Sequence, residues 1–310
     1  MKCHKCKKIK AAVELKYSKQ FLCGPCFIKL FENRVRKTIR RGKLLDPADK
    51  IAVALSGGKD SMTVLHILKK LSERAPKSEL FAISIDEGIA GRTWNAARSL
   101  CKQLRIEHRI FSFKDELGTD MDEIVKKMHE SGSPKLPCSY CGVFRRDLLN
   151  RKARELGATK LATGHNLDDE VQTALMNFIR GDLERIARSG SEIGIIKDEK
   201  FIPRIKPLRE CPEQEVALYS ALNKFDVHLS GCPYSAYAFR GTIRDAIDEI
   251  ESKHPGSKFQ ILSTMDELIP ILKKEYKSKA FLKPAYCKIY GELTSGEICK
   301  SCEFKKLLGI

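Results

Sequence analysis

One segment constrains this chain more than any other: the apolar run Ile51-Ala52-Val53-Ala54-Leu55, followed at once by Ser56-Gly57-Gly58-Lys59-Asp60-Ser61. A short run with no polar alternation suits a strand covered on both faces, as in a parallel sheet, and the glycine pair ends it in a tight loop. Glycines let backbone N–H groups approach an anion, and a helix opening after them presents its positive end to the same point. Ser56 and Ser61 can donate hydroxyl bonds there, and Lys59 adds charge. Asp60 is the odd member, since a carboxylate beside phosphates makes sense mainly when it holds Mg²⁺. The Walker pattern Gly-x4-Gly-Lys-[Ser/Thr] does not align with this loop.

The chain around the loop alternates strands and helices. Periodicity predicts strands at 50–55, 80–85, 108–113 and 160–163. Between and after them it predicts helices at 61–74, 92–104, from near Cys141 to Leu156, and 167–180. That order predicts an α/β fold, a doubly wound parallel sheet with helices on both faces. Ligands in such sheets bind outside the carboxyl ends of the strands. Ile85, ending the second of these strands, is therefore placed beside such a ligand. The basic run Arg34 to Lys43 precedes the sheet.

The 310 residues carry a net charge of +17, which favours a polyanionic partner. No apolar stretch is long enough to span a bilayer and Met1-Lys2-Cys3-His4 lacks a secretory apolar core, so a cytoplasmic protein with no membrane partner is expected. In a reducing compartment its twelve cysteines are metal ligands or catalytic thiols before they are disulfides.

Their spacing sorts them. Cys3-x2-Cys6 and Cys23-x2-Cys26 have the spacing of a tetrahedral zinc ribbon over residues 1–30, whose folding the metal would support because so short a segment buries little apolar surface. Cys287 with Cys299-x2-Cys302 repeats the pattern incompletely over 284–310. The position three after Cys287 is Tyr290, whose phenol, with an ordinary pKa of about 10, is a poor zinc ligand. Either an outside group completes this second zinc site or the ribbon has decayed. Residues 31–283 are left as the catalytic domain, led by a basic helix. Cys101, on a helix pattern, and Cys211, before Pro212 at a helix start, read as bystanders.

Cys138-x2-Cys141 and Cys232 make three further thiols. Three cysteines can hold a cubane [4Fe-4S] cluster with one iron left without a protein ligand, free to bind hydrosulfide. The competing reading makes Cys141 or Cys232 a persulfide carrier, its thiol acidified by Arg145, Arg146 and a helix N-terminus. A third zinc half-site is the structural alternative. Arg145 lies four residues beyond Cys141, on the same helix face, within reach of a phosphate.

The motif Ser56-Gly57-Gly58-Lys59-Asp60-Ser61 after a buried strand resembles the signature of the PP-loop ATP pyrophosphatases, of adenine nucleotide alpha-hydrolase-like fold. These enzymes cleave ATP between its α and β phosphates. Cys138-x2-Cys141, Gly164-His165-Asn166-Leu167-Asp168-Asp169-Glu170, Cys232-Pro233-Tyr234 and the N-terminal ribbon together resemble the tRNA 2-thiouridine synthetases of the TtuA/NcsA group. The resemblance spans nearly the whole chain, and Tyr290 is its clear departure. It implies Asp60 and Asp169 near the nucleotide phosphates, Gly164 allowing close approach of ATP, a three-cysteine [4Fe-4S] cluster and often a homodimer. It implies ATP-dependent adenylation of the C2 oxygen of a tRNA uridine, the wobble position favoured over the T-loop, then sulfur transfer giving 2-thiouridine. The sulfur donor would be sulfide or a thiocarboxylated ubiquitin-like carrier protein.

Candidate RNA surfaces are Arg34 to Lys43, Lys5, Lys7, Lys8 and Lys10 of the ribbon, and Lys300, Lys305 and Lys306. Tyr140 or Tyr234 would stack a splayed base. Three other classes stay open: a PP-loop enzyme acting on a small molecule, a zinc-ribbon nucleic-acid-binding module with an inert loop, and a cytidine thiolase. Of these, a cytidine thiolase generally lacks the terminal ribbons.

Overall fold

The computed structural model describes residues 1–130, 132, 135–190, 198, 200–227, 231–234, 239–278, 285–294 and 296–310. The expected boundary at 283/284 lies outside the described residues.

The apolar run forms β3 (Lys50–Ala54) at the centre of a five-stranded sheet, and its alternation divides the interior. Ile51, Val53 and Leu55 enter one core, while Ala52 enters the other with Phe81, Ile83 and Ile85 of the neighbouring β4 (Glu79–Asp86). β5 (Glu107–Ser112), β6 (Lys160–Ala162) and β7 (Arg204–Ile205) complete an all-parallel sheet of order β5-β4-β3-β6-β7. The order reverses between β3 and β6, which opens a crevice at their carboxyl ends. The doubly wound sheet expected from the sequence is present, with β3 to β6 within a residue or two of the expected strands and β7 a fifth strand the sequence did not indicate.

On one face lie α1 (Gly24–Arg41), α2 (Lys59–Ser72), α3 (Asn95–Leu104) and α9 (Glu213–Leu222), joined through Phe27, Phe31, Leu65 and Tyr219. The N-terminal hairpin β1 (Val13–Leu15) with β2 (Gln20–Leu22) shares this core. The opposite face carries α4 (Phe113–Leu117), α5 (Met121–Glu130), α6 (Pro137–Glu155) and the C-terminal α12 (Lys300–Leu308). The small hairpin of β8 (Ala285–Tyr286) and β9 (Leu293–Thr294) precedes α12. A separate layer packs α7 (Leu167–Ile179) and α8 (Leu183–Ala187) against α10 (Phe239–Lys253) and α11 (Ser257–Ser278).

Two expectations change and a third holds. α6 starts at Pro137, in the first-turn position that suits a residue without an N–H, so Cys138 is already helical. The basic run is not a free cationic face: Arg34 bonds Glu215 at 2.7 Å, Arg36 bonds Glu32 at 3.2 Å and Arg41 pairs with Glu210. Lys37, Arg40 and Lys43 remain exposed in that stretch. Cys101 and Cys211 are buried in the first core, as bystanders should be.

Candidate functional site

The loop after β3 is organised by its own hydroxyls. Gly57 takes φ +80°, open to glycine at no steric cost, and α2 begins at Lys59 with Gly58 as N-cap. Ser61 Oγ accepts from Ser56 N at 3.1 Å and lies 3.1 Å from Ser56 Oγ. Lys59 Nζ donates to Asp60 at 3.0 Å and to Glu213 at 2.8 Å. Burial pulls the ammonium down, but Glu213 and Asp60 outweigh it and raise its pKa, so Lys59 is held charged.

Across the crevice, the turn after β6 closes on this loop. Asn166 Nδ2 donates to Asp60 Oδ1 at 2.9 Å. Asn166 and Asp169 form a reciprocal capping box at the start of α7, with bonds of 3.1 and 3.2 Å. Burial chiefly, then the carboxylates of Asp60 and Glu213, raises the Asp169 pKa to about 6, against a lowering by the Asn166 amide and Arg240. A carboxyl whose charge is disfavoured beside a second carboxylate suits a divalent cation, so Asp169 with Asp60 fits Mg²⁺. Gly164 differs from expectation: a Cβ there would stand 2.8 Å from Ser61 N and 3.0 Å from Asp60 C, so its missing side chain admits the phosphate loop itself.

His165 keeps a solvent-exposed ring edge within the crevice and bonds Thr163 Oγ1 at 2.9 Å. Enclosure, then Lys206, Arg240, Arg145 and Arg204, all lower its pKa, so the imidazole is neutral at physiological pH. Arg145, from α6, reaches the fully buried Glu87 at 3.3 Å. Burial lowers its pKa, but Cys141, Glu87 and Cys232 outweigh that and raise it. This arginine thus stands electrostatically between the thiols and His165. Ile85 is 4% exposed, its side chain inside the second core rather than in the crevice.

Cys138 is exposed, Cys141 half-buried and Cys232 exposed, and none of the twelve cysteines forms a disulfide. Cys138 Sγ donates to Tyr234 O at 3.5 Å, which ties the Cys232-Pro233-Tyr234 turn to the start of α6. Burial and the neighbouring Cys232 raise the Cys138 pKa, and burial raises that of Cys141 to about 11 despite Arg145. The helix thiols are therefore not acidified, contrary to what a persulfide carrier on Cys141 would want. Tyr140 is 1% exposed and packs on Phe304 with ring centroids 4.3 Å apart, so it is no base platform. Tyr234 stays at the rim, its hydroxyl bonded to Asp122 at 2.5 Å.

The sulfur atoms of Cys3, Cys6, Cys23 and Cys26 lie within 4.8 Å of one another, with Cys6 and Cys23 3.8 Å apart. Tetrahedral zinc with bonds near 2.3 Å needs sulfurs about 3.8 Å apart, so this quartet fits zinc. Cys287, Cys299 and Cys302 gather equally closely as a trio. Cys138, Cys141 and Cys232 do not all converge to 4.8 Å, as thiolates bound to three different corner irons of a cubane would not.

Sequence reasoning missed Glu87 and Glu213, the partners of Arg145 and Lys59, because neither belongs to a motif. Arg240 was missed too: it approaches Asp169 at 3.5 Å from a helix distant in sequence.

Residues 29–247 match the family model of the PP-loop domain. The chain is 41% identical to the tRNA 2-thiolation protein NcsA of Haloferax volcanii, with 97% of each chain covered. It is 35% identical to the cytoplasmic tRNA 2-thiolation protein 1 of Caenorhabditis elegans, over 91% of this chain and 74% of that one. The U34-tRNA thiolase NcsA from Methanococcus maripaludis, solved with its [4Fe-4S] cluster, superposes with a TM-score of 0.84 at 41% identity, covering 100% of this chain and 97% of that one. The similarity thus runs along nearly the full length: the chain belongs to the PP-loop family and, within it, to the NcsA-type tRNA 2-thiolation enzymes.

Proposed function

We propose that this protein converts a tRNA uridine, at the wobble position, to 2-thiouridine by adenylating its C2 oxygen and replacing it with sulfur. The observation that carries the reading is that Arg145, paired with Glu87 beyond the end of β4, acts on Cys141 and Cys232 on one side and on His165 on the other. The wobble assignment draws on the U34 activity of the Methanococcus relative.

The C2 oxygen of uracil is a poor leaving group, so sulfide cannot displace it directly. In the proposed reaction that oxygen attacks the α-phosphorus of ATP and pyrophosphate departs. Sulfur then adds at C2, and AMP leaves with the former C2 oxygen. The amides of Gly57 and Gly58, the hydroxyls of Ser56 and Ser61 and the Lys59 ammonium would stabilise charge on the departing pyrophosphate. Asp60 and Asp169 would hold Mg²⁺. Gly164 sets the distance between the two loops, and the backbone at Ile85, rather than its covered side chain, would border the adenine. Neutral His165 leaves the surrounding cations free for phosphate.

Cys138, Cys141 and Cys232 would hold the [4Fe-4S] cluster, which when bound supplies an iron without a protein ligand at which hydrosulfide, free or released from a thiocarboxylated carrier, is presented. Arg145 would balance the anionic charge of that sulfur group. The uncharged state of Cys138 and Cys141 without metal favours this reading over a persulfide on Cys141, since a thiol of pKa about 11 is a poor nucleophile at neutral pH. The N-terminal quartet would hold zinc as a structural ion. Arg146, Arg204 and Arg240 extend the cationic rim for the RNA backbone, with Lys37, Arg40, Lys43 and the ribbon lysines farther out.

The test is an anaerobic reaction of the iron-loaded protein with ATP, Mg²⁺, sulfide and unmodified tRNA. AMP and 2-thiouridine should form in equal amounts, mapped to position 34. ATP cleavage indifferent to tRNA would instead favour a small-molecule substrate, and absence of pyrophosphate release under all conditions would favour a binding module.

A further inference from the structure

The two ends of the chain use the same backbone device. At the N-terminus a bridge between Lys2 and Lys10 brackets a turn in which Cys3 N donates to Ile9 O and Lys7 N to Cys3 O, each at 2.9 Å. Lys7, directly after the second cysteine, takes φ +56°. At the C-terminus Tyr286 pairs with Leu293, Cys287 N donates to Glu292 O and Gly291 N to Cys287 O, each at 2.8 Å, and Gly291 takes φ +69°. Position for position, Cys3 corresponds to Cys287, Cys6 to Tyr290 and Lys7 to Gly291.

The second half of each unit repeats as well. Cys23 and Cys299 are the N-caps of α1 and α12, and each carbonyl accepts from the amide four residues on, Phe27 at 2.9 Å and Glu303 at 3.0 Å. Each helix carries its next cysteine three residues after the cap. The C-terminal unit therefore keeps the two turns of a zinc site and replaces one ligand.

Tyr290 does not stand in for the lost thiolate. It is 40% exposed, and its ring faces the cations of Arg151 at 5.8 Å and Lys305 at 5.2 Å. Glu292, the nearby carboxylate, is committed to Arg154 at 2.5 and 3.1 Å. Among the described residues no histidine, carboxylate or fourth cysteine joins the trio, whose sulfurs are nonetheless gathered, Cys287 and Cys302 being 3.7 Å apart. Such spacing matches zinc as well as the N-terminal quartet does.

We propose that Cys287, Cys299 and Cys302 bind Zn²⁺ through three thiolates and leave its fourth position to an exchangeable small donor from solution, water at rest and hydrosulfide or a small thiol when present. Three protein ligands with one open position is the coordination of a reactive rather than a purely structural zinc, and a thiolate set favours a soft fourth donor. The inference concerns the C-terminal unit alone and stands apart from the reading of the crevice.

The test is zinc analysis and zinc-edge X-ray absorption on the iron-loaded full chain. The wild type should hold about two zinc ions per chain with an average of about 3.5 sulfurs each, the mean of a four-sulfur and a three-sulfur site. Added hydrosulfide should raise that average to about 4. Tyr290→Cys should reach about 4 without hydrosulfide and stop responding to it, while Tyr290→Phe should change neither zinc content nor sulfur count. About one zinc per chain, about 4 sulfurs before addition, no response of the wild type to hydrosulfide, or zinc loss in Tyr290→Phe would each overturn the proposal.

Discussion

Gly164 shows how little room the crevice leaves: the turn after β6 rests on the backbone of Asp60 and Ser61, where a single methyl group would collide at 2.8 Å. Gly164→Ala should push the two loops apart, cost about 1–3 kcal/mol of stability and weaken nucleotide binding roughly tenfold or more. Calorimetric ATP titration beside a denaturation curve checks both effects. His66 offers a pH test. Burial, then Lys70, lowers its pKa from 6.5 to about 4, so the folded state resists a proton that the unfolded chain accepts. Its contribution is complete above pH 6.5 and is lost as pH falls toward 4. Urea midpoints should drop over that window, and His66→Gln should make the drop shallower. At this scale the sequence revealed the loop residues, because each carries its chemistry in its type. It misplaced Tyr140 and Ile85, because whether an aromatic or aliphatic side chain faces a crevice or a core is decided by the neighbour that covers it. For Tyr140 that neighbour is Phe304, far along the chain.

Among the elements, α6 has the most to hold in place, since it carries Cys138, Cys141 and Arg145. Its first turn is fixed from behind by α12, where Phe304 packs on Tyr140 at 4.3 Å and on Phe144 at 6.3 Å. Phe304→Ala should cost about 3–5 kcal/mol and should also speed iron loss, because the thiol-bearing turn loses its support. Denaturation and the rate of cluster bleaching under air would register the two effects separately. Strands β3 to β6 and helices α2, α3 and α7 were legible because their apolar residues recur with a clear period. α10 and α11 were not. Lys258 near the start of α11 is buried against Asp168 and Asp248, and Pro270 interrupts the pattern. Arg209, which pairs with Asp266 at 2.6 Å, makes another part of that contact ionic. These ion pairs and the proline sit beside the apolar stripe of Leu262, Met265 and Ile269 and blur its pattern.

Across the whole molecule the phosphate loop and the Asn166 turn meet at the switch point of the sheet, in a chain of net charge +17. Charge of that sign predicts tRNA binding that weakens steeply with salt, by about tenfold or more between 50 and 200 mM, as each phosphate contact releases counterions. Gel shifts or anisotropy at a series of ionic strengths would measure the slope. Alternation of strand and helix announced the sheet, and the motifs announced the crevice at its edge. The sequence already grouped Cys232 with Cys138 and Cys141, and the fold ties the turn after Cys232 to the start of α6 across nearly a hundred residues. The central claim is that these three thiols hold the cluster at which the sulfur is presented, and Cys232→Ala tests it most directly. Purified and reconstituted anaerobically beside the wild type, the variant should lose the iron-sulfur absorption and form no 2-thiouridine in tRNA by nucleoside mass spectrometry, while its ATP affinity is unchanged. Normal 2-thiouridine formation by Cys232→Ala without iron would contradict the account.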